Sequence, residues 1–282
     1  MNKSIDTLLD DVYELFGSDS IKLNDELLDR LGDDLKGLMR YRFESERKAP
    51  HLRLSAVGKP ARQLWYELSG HEKEDLPPQT YIKFLFGDLW ELVLLWAAKE
   101  TGHSVEFEQA EVEVNGVVGH NDAIIDGVVV DVKSASSFAF KKFADGSLPD
   151  NDPFGYMEQL AAYCTAHGGL PGAFWAVDKQ TGKMTLLQFD FNELEMYGVE
   201  ERIEYMKEVL ESPEAPERCY EPQPDGKSGN MKLGTNCSYC PFKYECWSDA
   251  NNGVGVRTFL YSNGPRHLVQ VVKEPNVFEA TL

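Results

Sequence analysis

Residues 119–133 read Gly119-His120-Asn121-Asp122-Ala-Ile-Ile-Asp126-Gly127-Val-Val-Val-Asp131-Val-Lys133, two apolar runs around an Asp-Gly pair. Asp-Gly between β-branched runs predicts a tight hairpin, with strands over 117–125 and 128–133. Side chains alternate along a strand, so Asp131 and Lys133 share one face, and Asp122 on the partner strand can reach the same point. Two carboxylates and an ammonium inside a Val/Ile-rich hairpin are unfavourable unless they bind something. Such a pair of carboxylates suits a hard cation such as Mg²⁺ or Mn²⁺, and the lysine suits charge developing on a phosphate. The bland reading is a surface hairpin with an ordinary ion pair, because an Asp-x-Lys triplet alone is common.

Working outward, residues 104–114 alternate apolar and polar and predict a half-buried strand. Upstream, helical periodicity covers 5–16, 23–42 and 81–101, the last closed by Gly102. Glu91 lies within an apolar run of that third helix, where it is either a surface residue or a third metal ligand facing the sheet. Downstream come a helix at 154–167, strands at 173–178 and 183–190, and a charged helix at 192–211. Gln159 and Tyr163 sit one helical turn apart, on one face. The order implies an α/β domain with a mixed central sheet flanked by helices. The organisation reads as N-terminal helices (1–50), a core (51–212), a Cys-rich module (213–252) and a tail (253–282) without clear pattern.

The 282 residues are 42% hydrophobic and 11% aromatic, enough for a real core, which excludes general disorder. No apolar run is long enough for a membrane span, and the first twenty residues lack the features of a secretory signal, so a cytoplasmic setting is expected. The formal net charge is −19, which taken alone argues against a polyanionic partner. The segment 40–62 runs the other way, with seven basic residues against two acids. Arg62, Trp65 and Tyr66 join a phosphate donor to stacking surfaces, the ingredients of a single-strand path. The alternatives are a solvated charged face and ordinary core aromatics.

Five cysteines, an odd number, argue against a disulfide framework. Cys237-x2-Cys240-x5-Cys246 lies in a Pro/Gly-rich segment and reads as a metal site, with Cys219 the best fourth ligand. Cys164 reads as a small core residue. Spacing does not separate Zn²⁺ from an iron–sulfur cluster.

Taken in order, Gly87-x3-Glu91, Gly119-x2-Asp122, Asp131-x-Lys133 and Gln159-x3-Tyr163 resemble the PD-(D/E)XK nucleases. The branch is that of the RecB and AddB nuclease domains, the CRISPR-adaptation nucleases and phage exonucleases, and the resemblance spans about residues 52–247. It implies a restriction-endonuclease-like core and a metal-dependent deoxyribonuclease of phage or bacterial type, an exonuclease acting on DNA ends in recombination, repair or replication. Glu91, Asp122 and Asp131 would hold Mg²⁺ or Mn²⁺, Lys133 would assist attack on the phosphodiester, and Gln159 and Tyr163 would support the site. It also implies a 4Fe–4S cluster on the C-terminal cysteines. Two positions depart from the branch: Glu91 stands where histidine is usual, and Pro60 where the upstream cysteine would be. His120, beside the motif, is expected to be structural. The implied substrate is DNA, as single strands or duplex ends, with a recombination or single-strand-binding protein as a potential partner. The competing readings are a non-catalytic DNA-end-binding adaptor and a structure-specific endonuclease.

Overall fold

The computed structural model describes residues 3–45 and 49–280. In chain order the helices and strands begin with α1 (Leu8–Gly17), α2 (Asp25–Glu44), α3 (Ala61–Leu68) and α4 (Pro78–Glu100). Strands β1 (Val105–Glu106), β2 (Glu111–Val114), β3 (Val117–His120), β4 (Ala123–Ile125) and β5 (Val128–Ala135) follow. Next are α5 (Ser137–Ala144), α6 (Tyr156–Ala166), β6 (Gly172–Asp178), β7 (Met184–Phe189), α7 (Phe191–Glu195) and α8 (Val199–Glu211). The last strands are β8 (Gln223–Pro224), β9 (Met231–Lys232), β10 (Arg257–Tyr261), β11 (Gly264–Gln270) and β12 (Glu279–Ala280). The chain divides into two compact units, Met1–Gly58 with Leu76–Tyr205, and Lys59–Asp75 with Met206–Leu282.

The first unit holds a mixed sheet in the order β1-β4-β5-β6-β7. Only the β5–β6 pair is parallel. β6 is buried along its whole length, as expected of an interior strand covered on both faces. Val128, Val130 and Val132 face a core shared with Leu8 and Val12 of α1 and Leu94 and Ala98 of α4. Val129 and Ala135 face the opposite core, built with Leu160 and Tyr163 of α6 and Ile203 of α8. The 119–133 hairpin therefore lies at the heart of the unit. Its turn has positive φ at both Asp126 (49°) and Gly127 (86°), as a two-residue hairpin of the I′ type requires. Buried His103 bridges that turn to α1, 2.6 Å from Asp126 Oδ2 and 3.1 Å from Asp11 Oδ2.

Several expected elements are divided. The strand at 104–114 breaks where Phe107 and Gln109 take positive φ. The strand at 117–125 breaks at Asn121: β3 pairs with β2 in a separate ribbon, and β4 pairs with β5. Buried Asn121 fixes the switch, its Nδ2 donating to Phe107 O at 3.0 Å while Oδ1 meets His167 Nε2 at 3.2 Å. The helix at 192–211 is two helices, separated at Gly198 (φ 53°). The polar connection after β5 contains α5.

The second unit contains a five-stranded sheet in the order β12-β10-β11-β9-β8. The tail beyond 253 thus supplies three of its strands. Leu233, Trp247, Val256 and Val269 form a small core, against which Cys237 and Cys246 pack. The C-terminal module is not an irregular segment lacking apolar support. Among the described residues no helix is long and apolar enough to cross a membrane.

Candidate active site

Strand alternation puts Asp131 and Lys133 on the α6 side of the sheet, and their side chains form an ion pair. Asp131 is fully buried. Its Oδ1 accepts a hydrogen bond from Gln159 Nε2 at 3.1 Å, and the same nitrogen lies 3.4 Å from Tyr163 Oη. Oδ2 is paired with Lys133 by distance but receives no hydrogen bond of good geometry. Asp122 sits in the bend just before β4 instead of within a continuous strand, and its Oδ2 accepts from Val132 N–H at 2.7 Å. That bond crosses the hairpin and holds Asp122 beside Asp131. Gly119 explains its own place in the motif. A Cβ there would lie 2.7 Å from Leu54 Cβ and 3.1 Å from the Tyr163 ring.

Glu91 on α4 belongs to the same electrostatic group. Burial first, then the Asp131 charge, push its carboxyl up to about 7. Burial, followed by Asp131 and Glu91, raises Asp122 well above the usual carboxylate range. Burial also raises Asp131, against the pull of Lys133. For Lys133, burial acts to lower the pKa, but Asp131 and Asp122 outweigh it and hold the ammonium above its ordinary value. Glu91, Asp122, Asp131 and Lys133 thus act on one another electrostatically, with Gln159 bonded to Asp131 and beside Tyr163.

It adds two residues that the sequence did not single out. Gln109, in the bend after β1, donates to Glu91. Tyr156, at the start of α6, presents its ring 4.9 Å from Lys133 Nζ, a cation–π contact. An alternation break and an aromatic residue carry no signal specific enough to mark either from sequence. A cleft of about 440 Å³ between α2 and α4, lined in part by Arg42, Asp88 and Trp96, opens onto Glu91 and Gln109. His120 is exposed and 3.9 Å from Glu111, away from the acids.

The acids supply only hard oxygen donors, the chemistry of Mg²⁺ or Mn²⁺, and the buried Asp131 Oδ2, partnered only by the Lys133 ammonium, is an oxygen such an ion would satisfy. Among the described residues no three His, Cys, Asp or Glu side chains stand together closely enough to hold a metal ion. The fit is one of donor chemistry and shared charge.

The expected single-strand path at Arg62, Trp65 and Tyr66 requires correction. Trp65 and Tyr66 are buried, and Tyr66 stacks on Phe242 at 5.6 Å. Arg62 donates to Cys246 Sγ at 3.2 Å, to Tyr66 Oη at 3.1 Å and to Pro216 O. These side chains are structural members of the second unit, with no stacking face open to a base. In the wider basic segment, Arg42 pairs with Asp88 and Lys59 with Glu67, Arg40 and Arg53 are exposed, and Arg47 and Lys48 lie outside the described residues.

Cys219, Cys237, Cys240 and Cys246 all belong to the second unit and form no disulfides. Burial first, then Cys240, Cys246 and Cys219, push the Cys237 thiol up to about 12, and Cys219 itself is exposed. Cys164 is fully buried in the first unit, as expected of a small core residue.

No protein-family model and no curated protein matches the chain. Solved structures similar at low identity include these three. An alkaline exonuclease (LHK-Exo) from Laribacter hongkongensis has a TM-score of 0.39 and 16% identity over 56% of this chain and 85% of that one. SSO0001 has a TM-score of 0.39 and 17% identity over 77% and 94%. A phage related exonuclease from Haemophilus somnus 129PT has a TM-score of 0.38 and 14% identity over 57% and 93%. Likeness at this level carries no activity to this chain.

Proposed function

We propose that this protein is a divalent-metal-dependent deoxyribonuclease acting at DNA ends. The supporting observation is the cost of the site. Three carboxylates raised by burial, Glu91 and Asp122 also by the Asp131 charge, with a lysine among them, give the fold nothing that apolar residues would not give better. Glu91, Asp122 and Asp131 would hold Mg²⁺ or Mn²⁺, which supplies an activated water and neutralises phosphate charge. Gln159 orients Asp131, and Asp122 is oriented by the Val132 N–H. Lys133, kept an ammonium, offers positive charge and hydrogen-bond donors to the phosphate oxygens; it is not the base. A second metal group, iron–sulfur or Zn²⁺ on Cys219, Cys237, Cys240 and Cys246, would brace the C-terminal unit.

The test is cleavage of end-labelled linear duplex, closed circles and single strands in Mg²⁺ or Mn²⁺. Lys133→Ala and Asp131→Asn should each lower the rate at least about 100-fold with the fold intact by circular dichroism. Wild-type activity in both pure variants would refute the mechanism. Nicking of circles would make the enzyme an endonuclease, and retention of DNA without cleavage would make it a binding protein.

A further inference from the structure

Beyond the acids, the site continues into an aromatic run that the reaction does not require. Lys133 Nζ faces the Tyr156 ring, and Tyr156 lies 5.4 Å from the Phe154 ring, their planes 35° apart. Phe154 is 60% exposed. A single exposed phenylalanine is ordinary on a protein surface; the backbone that carries this one is tied down by Asp152. Asp152 Oδ1 accepts from the N–H groups of Phe154 (3.1 Å) and Gly155 (3.0 Å), and Oδ2 accepts from Met157 N–H at 2.8 Å. Gly155 is left-handed (φ 73°) and so close to Gly58 that a Cβ would fall 2.3 Å from backbone. On the preceding helix, α5, Phe138 is 81% exposed and shares a face with Lys142, whose Nζ is 6.0 Å from its ring. Lys142 Nζ also donates to Asn151 O and Oδ1, tying α5 to the segment that carries Phe154.

We propose that Phe154, backed by Tyr156, is a stacking platform for an unpaired base of the strand whose phosphate lies at Lys133, with Phe138 a second ring for a neighbouring base. The substrate at the moment of cleavage is then single-stranded or a frayed end, because a base within an intact duplex has no free face to offer. An aromatic on a pinned backbone next to a cation is suited to this task. It accepts any base and needs no backbone ordering when the strand arrives. The inference rests on the nuclease reading for the position of the phosphate.

Cleavage of a single-stranded oligonucleotide by wild type, Phe154→Ala and Phe154→Trp tests it, on the intact strand and on strands carrying one abasic site at successive positions. Phe154→Ala should lower kcat/KM about 5- to 150-fold on the intact strand, the worth of one base–aromatic stack, and Phe154→Trp should restore it. At one position the abasic site should cost wild type a similar factor and cost Phe154→Ala nothing further. Undiminished activity of Phe154→Ala, or a loss equally large on every abasic strand, would overturn the proposal. Fluorescence of 2-aminopurine in the same strand, read in Ca²⁺, separates the two readings. Quenching by wild type but not by Phe154→Ala, without cleavage in Mg²⁺ or Mn²⁺, fails the nuclease reading and keeps the platform. Cleavage with no quenching and no Phe154 effect fails the platform alone.

Discussion

Glu91 is the carboxylate whose protonation is most open to measurement, because burial and Asp131 place it at about 7. In the unfolded chain it titrates near the ordinary glutamate value of about 4.3. The folded state therefore holds the proton more tightly, and the stability this contributes is full in acid and lost as pH rises through about 7. Metal-free protein should melt on the order of 5 °C lower at pH 8 than at pH 5.5. Mn²⁺, competing with the proton, should raise Tm more at pH 8 than at pH 5.5. Glu91→Gln should flatten both dependences, and the difference from wild type removes the general repulsion of an acidic chain. Equal pH profiles for wild type and Glu91→Gln would remove Glu91 from the site.

At the scale of elements, what could be read from sequence was whatever depends on local period. Asp131 and Lys133 share a face because a strand alternates, Gln159 and Tyr163 because a helix turns, and the Asp126-Gly127 hairpin because its residues tolerate positive φ. What escaped depends on distant partners. The break at Asn121 is made by Phe107 and His167, and the tail strands find their partners at β9 and within their own hairpin. Arg62, Trp65 and Tyr66 have the composition of a nucleic-acid path, yet Pro216, Ser212 and Phe242 enclose them. The Gly58–Gly155 crossing likewise has no local mark, and it yields a prediction about an element junction. Gly182→Ala, at φ 68° with open space, should cost about 1–2 kcal/mol for the left-handed backbone alone. Gly155→Ala carries the same term and adds overpacking against Gly58, about 1–3 kcal/mol more. Urea unfolding of the two variants measures the difference. Equal losses would mean that the crossing yields without strain.

For the molecule as a whole, a net charge of −19 is compatible with a nucleic-acid substrate only if the attraction is local, at Lys133 and the cations its acids would hold. The described core clusters of the two units are made of different residues. Around the cysteine segment of the second unit, Leu233, Trp247, Val256 and Val269 form a small buried cluster. If Cys219, Cys237, Cys240 and Cys246 hold a metal group, that group is part of the unit's folding free energy. Calorimetry should then show a transition that chelation or Cys240→Ser lowers by about 10 °C or more, while the transition of the unit bearing Asp131 stays in place. Anaerobically purified protein with broad visible absorption and bound iron would identify the group as a cluster, and colourless protein with bound zinc would identify it as Zn²⁺. Metal-free protein whose transitions are untouched by Cys240→Ser would reduce the four thiols to packing, with Arg62 and Trp247 as their structural partners.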